Sequence, residues 1–328
     1  MLEETRKIKV AAIQLESKPG LIEANLEYAI PFIEKAAREG AQLVILPELF
    51  PTGYIPNETL WDVAEPKDGP TVTWLKKTSK KFGIYLGAGL VETDELDFFN
   101  IFVLCDPSGQ EAGRVSKIEA ESYIFKRTSG SHVFPTALGK IGVGICADNQ
   151  MAAFLKQMAK ASVDLMLMPH GWPTPCKTNG QVSEQDILEQ HEKTRQLVML
   201  YAQRLGVPAV FVNGVGSMGR MIGLLGKFMD PEIFRLEGRS RIVDSDGMIV
   251  GELGSEEGVV ISDIMLDPAR KHFSEPENHD GWLLPGNAFS RKVMIPFDVN
   301  FGQLWYRITP LRRKKAQAIA SRSRANNH

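Results

Sequence analysis

Residues 139–149 read GKIGVGICADN, a strand-length apolar segment that stops at a reactive side chain, Cys146. A helical pattern, MAAFLKQ, begins a few residues later at position 151. A thiolate near a helix N-terminus is stabilised by the exposed backbone N–H groups. The sequence therefore predicts that Cys146 is a nucleophile, whereas Cys105 and Cys176 are expected to be ordinary small apolar residues.

Similar apolar runs recur along the chain and alternate with helical patterns. Several of the runs are apolar throughout, which is typical of strands covered on both faces. Together they predict an α/β protein with a mixed sheet and helices on its faces. The other predicted strands are 8–15, 41–47, 82–91, 100–106, 163–169, 207–213, 240–247 and 258–266, and the predicted helices are 25–40, 71–83, 151–162 and 183–206.

Polar side chains follow several of these runs at the point where each strand should end. Glu48 follows 41–47, His170 and Trp172 follow 163–169, and Asn213 ends 207–213. Because catalytic groups in α/β sheets gather at strand ends, we expect a carboxylate and the Cys146 thiol to share one pocket.

The composition excludes several classes of function. The formal net charge of the 328 residues is −2, so no overall field indicates binding to nucleic acid or an anionic membrane. Three widely spaced cysteines argue against a disulfide framework and a zinc ribbon, and they favour a reducing compartment, the cytoplasm. The basic stretch 311–328 is interpreted as a frayed terminus or a helix packing on a partner subunit.

Three segments carry a resemblance to a known family. LVILPELFPTGY (43–54) contains Glu48, NIFVLCDPSGQEAGRVSK (100–117) ends at Lys117, and GKIGVGICADN contains Cys146. Supporting segments follow in order at 165–173, 210–216 and 238–253. From about residue 8 to about residue 266 the chain resembles the nitrilase, or carbon–nitrogen hydrolase, superfamily.

The resemblance implies a four-layer α-β-β-α sandwich of the nitrilase type, with a hydrolase domain over 1–285 and a C-terminal extension over 286–328. It also implies a catalytic triad of Glu48, Lys117 and Cys146. A second carboxylate follows the lysine in many members, and Glu121 matches it best, with Glu119 as the rival. The chemistry that this triad would perform needs neither a metal nor an organic cofactor. The candidate pocket residues are Tyr54, Ala147, His170 and Trp172.

These residue types suit the cleavage of an unreactive carbon–nitrogen bond. Thiolate attack divides one difficult step into two through a thioester. Glu48 would accept the thiol proton, and Lys117 with the N–H after Cys146 would stabilise the oxyanion. The expected substrate is a linear amide or N-carbamoyl compound. Hydrolysis of a nitrile is the alternative, disfavoured because Ala147 and Asp148 follow the cysteine, and a catalytically silent binding protein is a third possibility.

The sequence also predicts a homodimer, as does the resemblance. Helices 183–206 and 151–162 carry more apolar side chains than one sheet face readily covers, which indicates an interface. The segment VMIPFDVNFGQLWYRITPL (293–311) is expected to reach a partner subunit, with a last strand or helix of the same subunit as the alternative.

Overall fold

Within residues 4–326, the range that the computed structural model describes, two six-stranded β-sheets pack face to face. In chain order the strands are β1 (Arg6–Gln14), β2 (Leu43–Ile45), β3 (Tyr85–Thr93), β4 (Phe98–Cys105), β5 (Glu111–Ser116), β6 (Val133–Thr136), β7 (Gly139–Val143), β8 (Leu165–His170), β9 (Pro173–Pro175), β10 (Ala209–Asn213), β11 (Val215–Ser217), β12 (Phe234–Glu237), β13 (Arg241–Val243), β14 (Ile249–Glu252) and β15 (Gly258–Leu266). The helices are α1 (Ile22–Arg38), α2 (Pro70–Phe82), α3 (Ala152–Ala161), α4 (Glu184–Leu205), α5 (Ile295–Ile308) and α6 (Pro310–Asn326).

Both large sheets have a parallel centre and antiparallel flanks. The first has the order β15-β1-β2-β3-β4-β5, and β1, β2 and β3 are parallel. The second has the order β14-β13-β10-β8-β7-β6, and β10, β8 and β7 are parallel. Strands β11, β12 and β9 form a small antiparallel sheet. The carboxyl ends of parallel strands share one edge, so β2 delivers Glu48 and β7 delivers Cys146 to the rims of the two sheets.

Apolar side chains fill the space between the sheets and cover both outer faces. Val10 of the first sheet and Leu167 of the second belong to the same buried cluster. On the outer faces, α1 and α2 pack against the first sheet, and α3 and α4 pack against the second. The four layers confirm the predicted α-β-β-α sandwich, and burial on both faces explains why its strands are apolar throughout.

The predicted elements match the observed ones with small shifts. Strand β7 ends at Val143, and Cys146 opens a 3-10 turn, Cys146–Gln150, rather than ending the strand. The capping box of α4 is present, since the Ser183 side chain accepts from the N–H of Asp186 and the Asp186 carboxylate accepts from the N–H of Ser183. Strands β6 and β9 were not predicted because they are short and contain proline, and β5, β11, β12 and β14 were not predicted either.

The predicted interface on α3 and α4 rests on side chains that are buried within the chain. Leu197, Val198 and Tyr201 of α4 are fully buried, and so are Leu155 and Met158 of α3. They pack on the outer face of the second sheet. The argument from excess apolar surface on these helices was therefore wrong, because the sheet and the two helices cover one another.

The C-terminal segment folds back on its own chain, as the alternative interpretation had it. Trp305 of α5 stacks on Trp61 at 6.1 Å between ring centroids, and the Tyr306 hydroxyl accepts from the N–H of Phe98 at 2.9 Å. In α6, Arg312 forms an ion pair with Asp97. This segment is thus covered in part by its own domain, because it packs on the buried cluster around Trp61. No helix within residues 4–326 has the length and apolarity needed to cross a bilayer.

Gly89 of β3 allows a close approach that the fold requires. A Cβ atom there would lie 2.6 Å from the Cα of Glu48 and 2.9 Å from the backbone nitrogen of Leu49. Since backbone atoms cannot rotate away, we expect Gly89→Ala to lower the free energy of unfolding by about 1–3 kcal/mol. Urea unfolding should show this against Gly130→Ala, where nothing lies within 4 Å of the added carbon. Equal midpoints for the two variants would contradict this prediction.

Candidate active site

The Lys117 ammonium lies between two carboxylates beneath the rim of the sheets. Its Nζ donates to Glu48 Oε1 at 2.6 Å and to Glu121 Oε1 at 2.7 Å. The Lys117 side chain is 1% exposed. The rival carboxylate, Glu119, pairs with Arg127 instead. The structure thus brings together Glu48, Lys117 and Glu121, three residues that the sequence separates by up to 73 positions.

Neutral donors complete the coordination of the two carboxylates. Asn100 Nδ2 donates to Glu48 Oε1 at 2.7 Å, the N–H of Gly171 donates to Glu48 Oε2 at 2.7 Å, and the Tyr54 hydroxyl donates to Glu121 Oε1 at 3.1 Å. The contact from Gly171 crosses from the second sheet to the first. Sequence reasoning missed Asn100, although a lone amide at the start of the apolar run NIFVLC was a signal.

The two carboxylates have different proton affinities. Burial raises the pKa of Glu48, and the charge of Glu121 raises it further, although Lys117 opposes both effects. Burial would also raise the pKa of Glu121, but the charge and hydrogen bond of Lys117 outweigh it and lower that pKa. The carboxylates hold the pKa of Lys117 well above its ordinary value against the effect of burial. A proton entering this cluster therefore goes to Glu48, while Glu121 keeps the charge that balances Lys117.

Cys146 lies on a strained turn at the wall of the cavity. Its φ is 48°, in the left-handed region that non-glycine residues rarely adopt, and Leu49, directly after Glu48, has a φ of 51°. The Cys146 side chain is buried, and it lines the same cavity as Lys117 and Glu121. Burial and the charge of Glu48 raise the pKa of its thiol, so the resting form carries the proton. A base is then needed to produce the nucleophile.

Asp148 ties the cysteine turn to the lysine segment. Its Oδ1 accepts from the N–H groups of Ile118 at 3.1 Å and Glu119 at 2.7 Å, and its Oδ2 accepts from the N–H of Ile145 at 3.3 Å. Burial raises the pKa of Asp148 to about 7. This carboxylate joins the residue before Cys146 to the two residues after Lys117. Sequence reasoning did not assign this role to it.

The predicted pocket residues divide into two groups. Tyr54, Ala147 and Trp172 line the cavity. His170 does not, because it is fully buried between Trp172 and Phe211, with ring centroids 5.7 and 4.5 Å away. Burial also lowers the pKa of His170 well below its ordinary value. The prediction that His170 contacts the substrate was therefore wrong, since it supports the Trp172 wall from behind.

The remaining cysteines lie away from this cluster. Cys105 is fully buried on β4, where burial raises its pKa to about 12. Cys176 is half-buried, and its thiol donates to the carbonyl of Ile233 at 3.2 Å. In the part of the chain that the structure describes, no group of three or more histidine, cysteine or acidic side chains is arranged to hold a metal ion.

Comparisons with known proteins show the family to which the chain belongs. The family model for carbon–nitrogen hydrolases matches residues 9–271. A nitrilase of Pyrococcus abyssi is 33% identical over 171 residues, which cover 49% of this chain and 64% of that protein. An N-carbamoylputrescine amidase of Solanum lycopersicum is 25% identical over 284 residues, covering 81% of this chain and 89% of that protein.

Among solved structures, Nit3 of Saccharomyces cerevisiae, a member of the nitrilase superfamily, has a TM-score of 0.65 and 27% identity. The alignment covers 81% of this chain and 92% of that one. The family predicted from the three motifs is confirmed, because the family match spans most of the chain. The chain therefore belongs to the carbon–nitrogen hydrolase family of enzymes.

Proposed function

We propose that the protein hydrolyses a linear amide or N-carbamoyl compound through a thioester on Cys146 and releases ammonia or an amine. The observation that carries this proposal is the Lys117 ammonium held by Glu48 and Glu121 at the wall of the cavity that Cys146 lines. This arrangement supplies a nucleophile, a base with a raised pKa and a fixed positive charge, all on buried side chains.

The first half of the reaction forms the thioester. The Cys146 thiol gives its proton to Glu48, and the sulfur forms a bond to the carbonyl carbon. The carbonyl oxygen becomes an oxyanion that the Lys117 ammonium and the N–H of Ala147 stabilise. When this intermediate collapses, the carbon–nitrogen bond breaks, and the proton on Glu48 passes to the leaving nitrogen.

The second half releases the acid. Glu48, ionised again, takes a proton from water, and the resulting hydroxide attacks the thioester carbonyl. The carbon–sulfur bond breaks, and the sulfur recovers its proton from Glu48. Glu121 remains ionised in both halves, which fits its lowered pKa and its two hydrogen bonds from Lys117 and Tyr54.

Substitutions test the three roles. Cys146→Ala should reduce ammonia release to background, and Glu48→Gln should lower kcat by about 10²–10⁴-fold, because each removes one chemical role and little volume. Cys105→Ala is the control and should keep its activity. Lys117→Ala should also abolish turnover, and it should lower stability, because it leaves two buried carboxylates without their counter-charge.

A panel of amides, N-carbamoyl compounds and nitriles decides the reaction class in the same assay. Turnover of nitriles alone would establish the alternative, a nitrilase. An inactive wild-type chain whose Cys146 reacts with iodoacetamide no faster than Cys105 or Cys176 would indicate a silent relative that acts by binding.

The acid limb of the pH profile should report Glu48. Because only the ionised carboxylate accepts a proton, kcat/KM of the free enzyme falls as the pH drops through the pKa of Glu48, which lies above its ordinary value of 4.5. The negative charge of Glu121 contributes to that increase. We therefore expect Glu121→Gln to move the acid limb to lower pH. An unchanged limb, or one moved to higher pH, would refute the division of roles between the two carboxylates.

We also propose that the chain forms a homodimer through the outer face of α5. Phe297 and Phe301 are 61% and 53% exposed and stack with ring centroids 6.3 Å apart, and Leu304 and Ile308 continue the stripe. Large exposed apolar patches usually mark interfaces, and a two-fold axis would pair this stripe with itself. The free cysteines support a reducing compartment, the cytoplasm, as the place of assembly.

Light scattering tests the dimer. The full chain should be dimeric at micromolar concentration, and the double variant Phe297→Asp, Phe301→Asp should be monomeric, because two-fold symmetry would bring four carboxylates together. Leu188→Asp, at an exposed position on α4, is the matched control and should stay dimeric. A monomeric wild-type chain, or a dimer that survives the double substitution, would rule out this interface.

A further inference from the structure

The active-site cavity is large for the bond that is cleaved. Its volume is about 600 Å³, the room that roughly twenty molecules of liquid water occupy. An amide of two or three carbons would leave most of this space unfilled. The cavity therefore has room for a substrate group well beyond the reacting carbonyl.

Apolar side chains form the walls away from the catalytic cluster. They come from three parts of the chain: the segment after β8, the loop between β11 and β12, and the segment from residue 280 through α5. The principal ones are Trp172, Met221, Leu225, Met229, Trp282 and Ile295. Trp282 and Ile295 lie beyond residues 9–271, the range that matches the family model.

Charged side chains at the cavity already have partners. Arg127 pairs with Glu119 and donates to the carbonyl of Ile118 at 3.0 Å. Arg291 lies 3.7 Å from Asp280 and donates to the carbonyl of Leu284 at 3.4 Å. Arg127 would first have to leave Glu119 to bind a substrate carboxylate, whereas Arg291 shares Asp280 with Lys292, and its buried Nε atom has no hydrogen-bond partner.

The acidic side chains are similarly engaged. Asp298 accepts from the Tyr123 hydroxyl at 3.0 Å and from the N–H of Leu224 at 2.5 Å. Glu121 holds Lys117. A charged substrate group that lies among these apolar walls would lose its hydration, and this is unfavourable.

We propose that this cavity selects an uncharged primary amide, or its carbamoyl analogue, whose acyl group is a bulky apolar chain or ring. The inference rests on the proposed function and names its substrate class. The amide lies at Cys146 and Lys117, and the apolar group occupies the space between Trp172, Leu225 and Ile295. Burial of each additional methylene in this space contributes to binding of the transition state.

A length-matched series of substrates tests this class. The probes are propanamide, hexanamide, 3-phenylpropanamide, 6-aminohexanamide and 5-carbamoylpentanoate, with ammonia release as the readout. We expect kcat/KM to rise roughly fourfold for each methylene between propanamide and hexanamide. The two charged amides should fall at least about tenfold below hexanamide, because their charged ends lose hydration among the apolar walls. A charged amide that equals or exceeds hexanamide would overturn the proposal.

A variant should reverse the preference. Ile295→Lys places an ammonium in the apolar wall, so the ratio of kcat/KM for 5-carbamoylpentanoate to that for hexanamide should rise at least about tenfold. Leu225→Lys introduces a lysine from the loop between β11 and β12. It replaces the first variant in the test if that variant does not fold. Leu188→Lys, on the exposed face of α4, is the matched control and should leave the ratio unchanged. A ratio that stays at the wild-type value in a folded wall variant would contradict the assignment.

Alkylation of Cys146 separates failure of this inference from failure of the proposed function. The rate at which each reagent alkylates Cys146 is divided by its rate with glutathione. This ratio should be higher for N-hexyl iodoacetamide than for iodoacetamide, and lower for iodoacetate. If no amide is hydrolysed but these ratios hold, the hydrolase proposal fails and the apolar site stands. If amides are hydrolysed without preference for apolar chains and the alkylation ratios are near one, the hydrolase stands and the apolar site fails.

Discussion

The ion cluster of Glu48, Lys117 and Glu121 is the interaction on which the site depends. A lysine buried to 1% exposure loses several kcal/mol of hydration, which only close opposite charges and hydrogen bonds can offset. Two carboxylates around one ammonium leave one negative charge in excess. The cluster can therefore take up one proton at small cost, and Glu48 is the group whose surroundings favour it. The excess negative charge makes the cluster a proton acceptor, and it also keeps Lys117 protonated.

The backbone around this cluster is arranged to hold reactive groups in positions they would not adopt alone. Leu49 and Cys146 both occupy the left-handed region, at a cost of the order of 1–3 kcal/mol each. Hydrogen bonds from three N–H groups to Asp148 and the close passage of β3 under Glu48 oppose relaxation of these turns. Rigid sheets on both sides supply the packing that sustains the strain.

The C-terminal helices link the fold to the shape of the cavity. One face of α5 reaches the cavity through Ile295 and Asp298, another packs on the cluster around Trp61, and a third presents Phe297 and Phe301 to solvent. Changes in this helix could therefore alter substrate choice without moving Glu48, Lys117 or Cys146, whose positions come from the sheets.

Local sequence predicted most strands of the two large sheets, their four covering helices and the family, and it suggested which groups react. Unbroken apolar runs such as 41–47 and 163–169 indicate strands buried on both sides, and the motifs around Glu48, Lys117 and Cys146 indicate a family, because both signals are local. Only the tertiary structure decided which polar groups meet. Asn100 donates to Glu48, and Glu121 pairs with Lys117, whereas Glu119 pairs with Arg127. His170 packs behind Trp172, a residue of the cavity wall. It also decided that 293–311 returns to its own chain, since the Trp61 surface that receives it lies over 200 residues away in sequence. Such contacts depend on the distances between side chains brought together by folding, which no local pattern encodes.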